Sequence, residues 1–222
     1  NLEREGFQRE HIELNYAETI GLEAAIRGIA DQAEAAVRAG KSLLVLSDRN
    51  IAPGQLPAHA SLAVGAVHHR LVEQGLRCDC NILVETATAR DPHHFAVLCG
   101  FGASAVYPYL AYEVLADLVR NGEVLGDLQE VFKYYRKGLS KGLLKVLSKM
   151  GISTIASYRG AQLFEAVGLS DEVVELSFRG VASRLKGARF VDLEAEQKLL
   201  AKEAWNERRP IQQGGLLKFV HG

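Results

Sequence analysis

Ser42-Leu43-Leu44-Val45-Leu46-Ser47 puts four large apolar side chains on consecutive positions. Strict alternation would mark a strand with one wet face. An unbroken short run marks a strand covered on both faces, as in a parallel sheet. Upstream, Leu22, Ile26, Ile29, Ala33 and Val37 recur at steps of three and four through residues 19–39, which is one face of a helix, and Gly40 supplies its stop. Downstream the alternation repeats. Residues 59–73 read as a helix closed by Gly75, and Asn81-Ile82-Leu83-Val84-Glu85 as a second strand. Asp91-Pro92 caps a helix through Cys99, 103–106 is a weaker third strand, and 109–119 is a helix stopped by Asn121-Gly122. Asp127 opens a long helix to Lys149, with Gly138 and Gly142 as weak points. The expectation continues with a fourth strand at 152–156, a short helix at 158–167 ended by Gly168, a helical segment from Asp171 and an amphipathic helix at 193–205. Residues 1–18 show no clear period.

Strands alternating with helices imply βαβ units. The expected fold is α/β: a parallel sheet of about four strands with flanking helices and a helical C-terminal extension. Four strands do not close an eight-stranded barrel, so the sheet is expected to be open or half-barrel-like. The division expected is a central α/β domain over 1–187 and an extension over 188–222.

Composition narrows the class. With 48% hydrophobic and 24% charged residues the chain is globular rather than disordered, and 222 residues can bury a sizeable core. The net charge of −1 gives no basic excess to hold nucleic acid. Cys78, Cys80 and Cys99 are an odd set without a framework, which points to a reducing compartment and a cytoplasmic location. No apolar run reaches the roughly 20 residues of a membrane span. The chain begins at Asn1, and ends at Gly222 just after the apolar stretch 216–220, so it is expected to be cut from a longer protein.

In parallel sheets, ligands gather at the carboxyl ends of the strands. The expected ends supply Asp48, Arg49, Glu85, Thr86, Tyr107 and Arg159. Asp48 and Arg49 can orient a substrate or bind an anion, or they can form a structural ion pair holding the loop. His68-His69 and His93-His94 are adjacent pairs. On a helix they point about 100° apart and cannot easily chelate one ion, so packing and solvation is the plainer reading. Cys78, Cys80 and Cys99 lack the loop that surrounds a cluster. Lys133, Lys137, Lys141, Lys145 and Lys149 recur every four residues as a basic stripe, either solvated or facing a phosphate or another domain. No dinucleotide or phosphate loop and no G-x-S-x-G nucleophile elbow occurs.

The residues also carry a resemblance. Leu46-Ser47-Asp48-Arg49, the run 59–71 (HASLAVGAVHHRL) and the run 98–110 (LCGFGASAVYPYL) resemble the central region of the glutamate synthase large subunit. The most specific pieces are 141–154 (KGLLKVLSKMGIST) and 157–166 (SYRGAQLFEA). The likeness covers nearly the whole chain and is weakest before about Thr19. It implies a parent enzyme that makes two glutamates from glutamine, 2-oxoglutarate and a reductant. In that parent an amidotransferase with an N-terminal cysteine precedes this region, and an FMN-binding barrel with an iron–sulfur cluster follows it. The resemblance therefore implies no catalytic, cofactor-binding or metal-binding residue in this chain, whose first residue is Asn1. Its partners would be the amidotransferase and FMN domains of the same polypeptide, with a small NADPH-dependent subunit or ferredoxin as electron donor. Asp48, Arg49, Lys145, Lys149 and Arg159 stand as ligand or domain-interface candidates. The alternative is an independent α/β anion-binding protein or enzyme that uses its strand-end residues.

Overall fold

A computed structural model describes residues 8–207; the termini discussed above, Asn1 and 216–220, lie outside them. The chain runs β1 (Arg9–Glu13), β2 (Asn15–Ala17), α1 (Leu22–Arg38), β3 (Leu43–Ser47), β4 (Gln55–Pro57), α2 (Ala60–Glu73), β5 (Asn81–Glu85), α3 (Pro92–Gly100), β6 (Ala105–Tyr107), α4 (Tyr109–Arg120), α5 (Leu128–Met150), α6 (Ile155–Tyr158), β7 (Glu165–Leu169), α7 (Asp171–Ser177), β8 (Ala182–Ala188) and α8 (Phe190–Ala204).

Four strands form one sheet in the order β1-β3-β5-β6, every pairing parallel. Each strand lies beside the previous one, so the crossovers all turn the same way and stack their helices on one face. Against that face Ile12, Leu44, Leu46, Ile82 and Val84 are buried with Ile26, Ile29, Ala33, Val64 and Val67 of α1 and α2. The other face carries Arg9, His11, Val45, Leu83, Glu85 and Tyr107 along an open cleft of about 640 Å³. The sheet is thus half of a barrel in form, covered outside and open inside.

The edge strand β1 has one fully buried side chain, Ile12, which is why Arg9-Glu10-His11-Ile12-Glu13 carries no strand signal. The strand expected at 152–156 does not form. Thr154 caps a helical turn instead, its side chain accepting the Ser157 N–H at 3.3 Å. The sheet keeps four strands because β1 takes the place of that one. The helix expected at 158–167 also gives way, since β7 occupies its second half.

β7 pairs in parallel with β8 around α7, a small βαβ unit separate from the main sheet. Val167 and Leu185 on these strands are each 64% exposed. The unit is fastened to the rest through α7, which packs on α2, and α8, which packs on α1 and β4. The long helix α5 ends as the sequence indicates, with Gly151 left-handed at φ 70° and its N–H bonded to Leu147 and Ser148 carbonyls. Gly142 is a point of close approach rather than a weakness. A Cβ there would sit 2.3 Å from Pro92 Cγ at the start of α3, whereas Gly138 faces open space.

Candidate functional site

The carboxyl ends of β3, β5 and β6 converge as expected, but their polar groups are spent on one another. Asp48 is 5% exposed. Its carboxylate accepts the Thr86 hydroxyl and, at 3.0 Å, the Ala87 N–H. Its backbone carbonyl accepts from Asn15 Nδ2 at 3.1 Å. Asp48 and Arg49 therefore do not pair. The chain turns just after β3, with the buried Asp48 carboxylate bonded to the loop after β5 and the Arg49 guanidinium exposed. Arg49 bonds Glu85 at 3.1 Å and Glu113 at 3.4 Å and lies over the Tyr109 ring at 5.2 Å. Ser47 Oγ donates to Glu85 at 2.6 Å. The bond to Glu85 holds the Arg49 guanidinium protonated, and burial raises the Tyr109 phenol above its ordinary range.

One cation stands here against the carboxylates of Asp48, Glu85 and Glu113, a balance that repels an anion rather than attracting one. The arrangement suits a strut that ties the strand ends together. Truncating Asp48 to alanine removes the acceptor of the half-buried Ala87 N–H and leaves the buried Thr86 hydroxyl with Thr88 Oγ1, 3.0 Å away, as its partner. Urea unfolding should show a loss of about 2–3 kcal/mol, and Asp48→Asn, which keeps one acceptor oxygen, about half of that.

Arg159 is absent from this cluster. It follows α6 at the opposite, amino-terminal end of the sheet, close enough to Arg77, His68 and Cys99 to act on their charges. The sequence reading placed it at a strand end because it supposed a strand at 152–156. Lys133, Lys137, Lys141, Lys145 and Lys149 are all exposed along α5, and among the described residues none forms an ion pair. His93 is exposed and His94 half-buried, while His68 and His69 are both half-buried, so that pair does not divide into one packed and one solvated ring.

The residue that sequence reasoning missed is Arg77. Its Nε donates to His68 Nδ1 at 3.0 Å, and its two Nη atoms donate to the carbonyls of Cys80 and Gly102 at 2.8 Å each. It joins α2, the entry to β5 and the entry to β6. Because an Arg N–H can only donate, His68 Nδ1 is the acceptor and the neutral ring carries its hydrogen on Nε2. Burial first, then Arg77, His69 and Arg159, push the His68 pKa down to about 4. A folded pKa below the ordinary histidine value means that the unfolded chain takes the proton first. The stabilisation is complete above pH 6.5 and is lost as pH falls toward 4. Allowing for screening of a half-buried ring, the loss is about 2 kcal/mol. Denaturant midpoints across that window should fall in the native chain and fall less in His68→Gln, the remaining slope coming from His59 and His69, whose pKa values burial also lowers.

Cys78 is exposed, Cys80 buried and Cys99 half-buried, and among the described residues no three metal-ligating side chains come together. The negative balance at the strand ends opposes a flavin phosphate. Among the same residues no helix is long and apolar enough to cross a membrane.

Fold and cluster together define an α/β protein with a half-open parallel sheet whose strand ends are internally tied. The chain matches the family described as glutamate synthase central domain over residues 1–170, and it belongs to that family. It is 42% identical over 186 residues to the glutamate synthase [NADPH] large chain of Bacillus subtilis, covering 84% of this chain and 12% of that one. It is 45% identical over 172 residues to glutamate synthase [NADH] of Schizosaccharomyces pombe, covering 77% of this chain and 8% of that one. The chain thus spans about an eighth or less of the curated relatives it matches. Among solved structures, a flavocytochrome b2 variant with sulfite bound aligns over 87% of this chain and 41% of that one, at 17% identity and a TM-score of 0.46.

Proposed function

We propose that this chain is the part of a cytoplasmic glutamate synthase large chain that holds the amidotransferase and FMN domains at a fixed separation, and that it has no activity alone. One observation carries the reading. The polar groups at the strand ends, where a parallel sheet ordinarily works, are consumed in binding each other, while the sheet's inner face and the α5 lysines lie uncovered. Rigidity is the useful property in a spacer, because an intermediate passed between two sites is lost if it escapes to water. In this reading the parent turns glutamine and 2-oxoglutarate into glutamate with FMN and an iron–sulfur cluster held elsewhere. The electron donor is NADPH through a small subunit, or ferredoxin. In the same reading residues 188–222 are the extension toward the FMN barrel, with α8 its described part; the family match, which ends at residue 170, does not reach it.

The test is charge reversal on the α5 stripe in the complete enzyme. Lys145→Glu with Lys149→Glu should uncouple glutamine hydrolysis from glutamate formation, with glutaminase turnover retained. Coupling left at its native ratio would refute a domain-facing stripe. Flavin binding or glutaminase activity in the 222-residue chain would refute the spacer reading itself.

A further inference from the structure

At the amino-terminal end of the sheet, under the C-termini of α2 and α3, lies a second cavity of about 280 Å³. Its walls are of two kinds. Tyr158, Phe101 and Phe164 form an aromatic side, with the Phe101 and Phe164 rings 5.4 Å apart and Tyr158 edge-on to Phe164 at 6.3 Å. His68, His69, Gln162 and Arg179 form the polar side. Among the described residues no acidic side chain lines it.

The polar side is a set of donors. Arg77 occupies His68 Nδ1, which leaves the Nε2–H aimed across the cavity toward Gly160; a Cβ on Gly160 would stand 3.6 Å from that nitrogen. Among the described residues this N–H has no partner. Gln162 is held at φ 55°, the one positive-φ residue other than glycine among those described. Its amide packs where a Cβ on Gly180 would otherwise be, so Gly180 is needed for the amide to reach this place. A left-handed glutamine is strained by roughly 1 kcal/mol, the kind of outlier that collects at ligand sites.

The charge behind the donors is positive. Arg77 and Arg159 lie close enough to repel each other, and neither forms an ion pair among the described residues. The Arg159 Nε is buried without a hydrogen-bond partner among the described residues, although Arg159 stands behind the cavity wall rather than in it. Arg179 adds little, because Glu73 and Glu175 neutralise it.

We propose that this cavity binds a carboxylate carried on a small apolar body, its oxygens taken by the His68 Nε2–H and the Gln162 amide in the field of Arg77 and Arg159, its apolar part held by Tyr158, Phe101 and Phe164. The volume corresponds to about nine waters, so a ring-sized acid fills it. A bare phosphate would leave the aromatic side unused. The same chemistry has two sources, a free acid or a carboxylate side chain from another part of a longer polypeptide.

Benzoate is the probe, followed through the amide resonances of Gly160 and Gln162 at constant ionic strength. Saturable shifts are expected, with benzamide about tenfold weaker for want of a charge-assisted hydrogen bond. His68→Gln and Gln162→Gly should each weaken benzoate by a similar factor, the second without burdening the fold. Benzoate bound by the 222-residue chain and by the longer large chain identifies a free acid as the occupant. Binding by the shorter chain alone identifies a resident carboxylate that already fills the site in the longer one. No saturable shift in either, equal affinity for benzamide, or unchanged affinity in both variants would overturn the proposal.

Discussion

Gly65→Ala is expected to prevent stable folding. Gly65 lies in the buried middle of α2, where α7 crosses it. A Cβ added there would stand 1.8 Å from the carbonyl oxygen of Ser177 and 2.9 Å from its carbon. The obstacle is backbone, so no rotamer change relieves it. Ser177 is itself fully buried, next to Phe178 of the core. The helices must separate by more than an ångström, and the space opened beside Val173 loses its dispersion contacts. Overpacking commonly costs about 1–3 kcal/mol, and a clash against buried backbone lies at or beyond the top of that range, about 4 kcal/mol. Gly138→Ala is the matched control. It sits on α5 with open space around it, and should stabilise by about 0.5–1 kcal/mol through helix propensity alone. Urea unfolding of the pair settles the matter: a Gly65→Ala midpoint equal to that of Gly138→Ala would show that α7 does not pack where described.

Arg77→Met is expected to cost about 3–4 kcal/mol. The substitution keeps most of the aliphatic stem but leaves His68 Nδ1 and the carbonyls of Cys80 and Gly102 without their donor. Each such bond to a charged donor is worth about 1.5–3 kcal/mol, and the three are not additive because one side chain makes them all. Relief of repulsion from Arg159 returns part of the loss. Arg77→Lys keeps the charge but not the planar fork, so one flexible ammonium cannot meet three fixed acceptors, and most of the loss should remain. A lysine variant as stable as the native chain would mean that the charge matters and the fork does not.

These two positions show where sequence patterns stop. The central strands were legible because Leu43–Ser47 and Asn81–Glu85 carry apolar runs of strand length, but the expected cover on both faces is corrected: Leu44, Leu46, Ile82 and Val84 are buried under the helices, while Val45 and Leu83 border the open cleft. The cap at Asp91, which accepts the His93 and His94 N–H groups at 2.9 and 3.1 Å, was legible because capping is local chemistry. β1 was not, since its inner face meets open space and keeps Arg9 and His11. Residues 152–156 misled for the opposite reason. Ile152, Thr154 and Ile155 are good strand formers, yet Thr154 serves a helical turn. At the site, Asp48, Arg49, Glu85 and Thr86 were all marked as strand-end residues, but who bonds whom was not, and Ala87 and Glu113 were not marked, because the bonded groups lie 36 or more residues apart in sequence. Arg77 opens a single 3-10 turn, Arg77–Asp79, too short for any period to distinguish a hub from a solvated arginine.

The strand order β1-β3-β5-β6 has a consequence for synthesis. Within this sheet each strand hydrogen-bonds to the member synthesised before it, so the sheet itself does not wait for a distant segment. A nascent chain halted after Glu85 already holds three zipped strands with α1 and α2 against them, and presents a single growing edge to β6. Translation order and assembly order coincide, and a long multidomain polypeptide can lock this portion in place before its later portions exist.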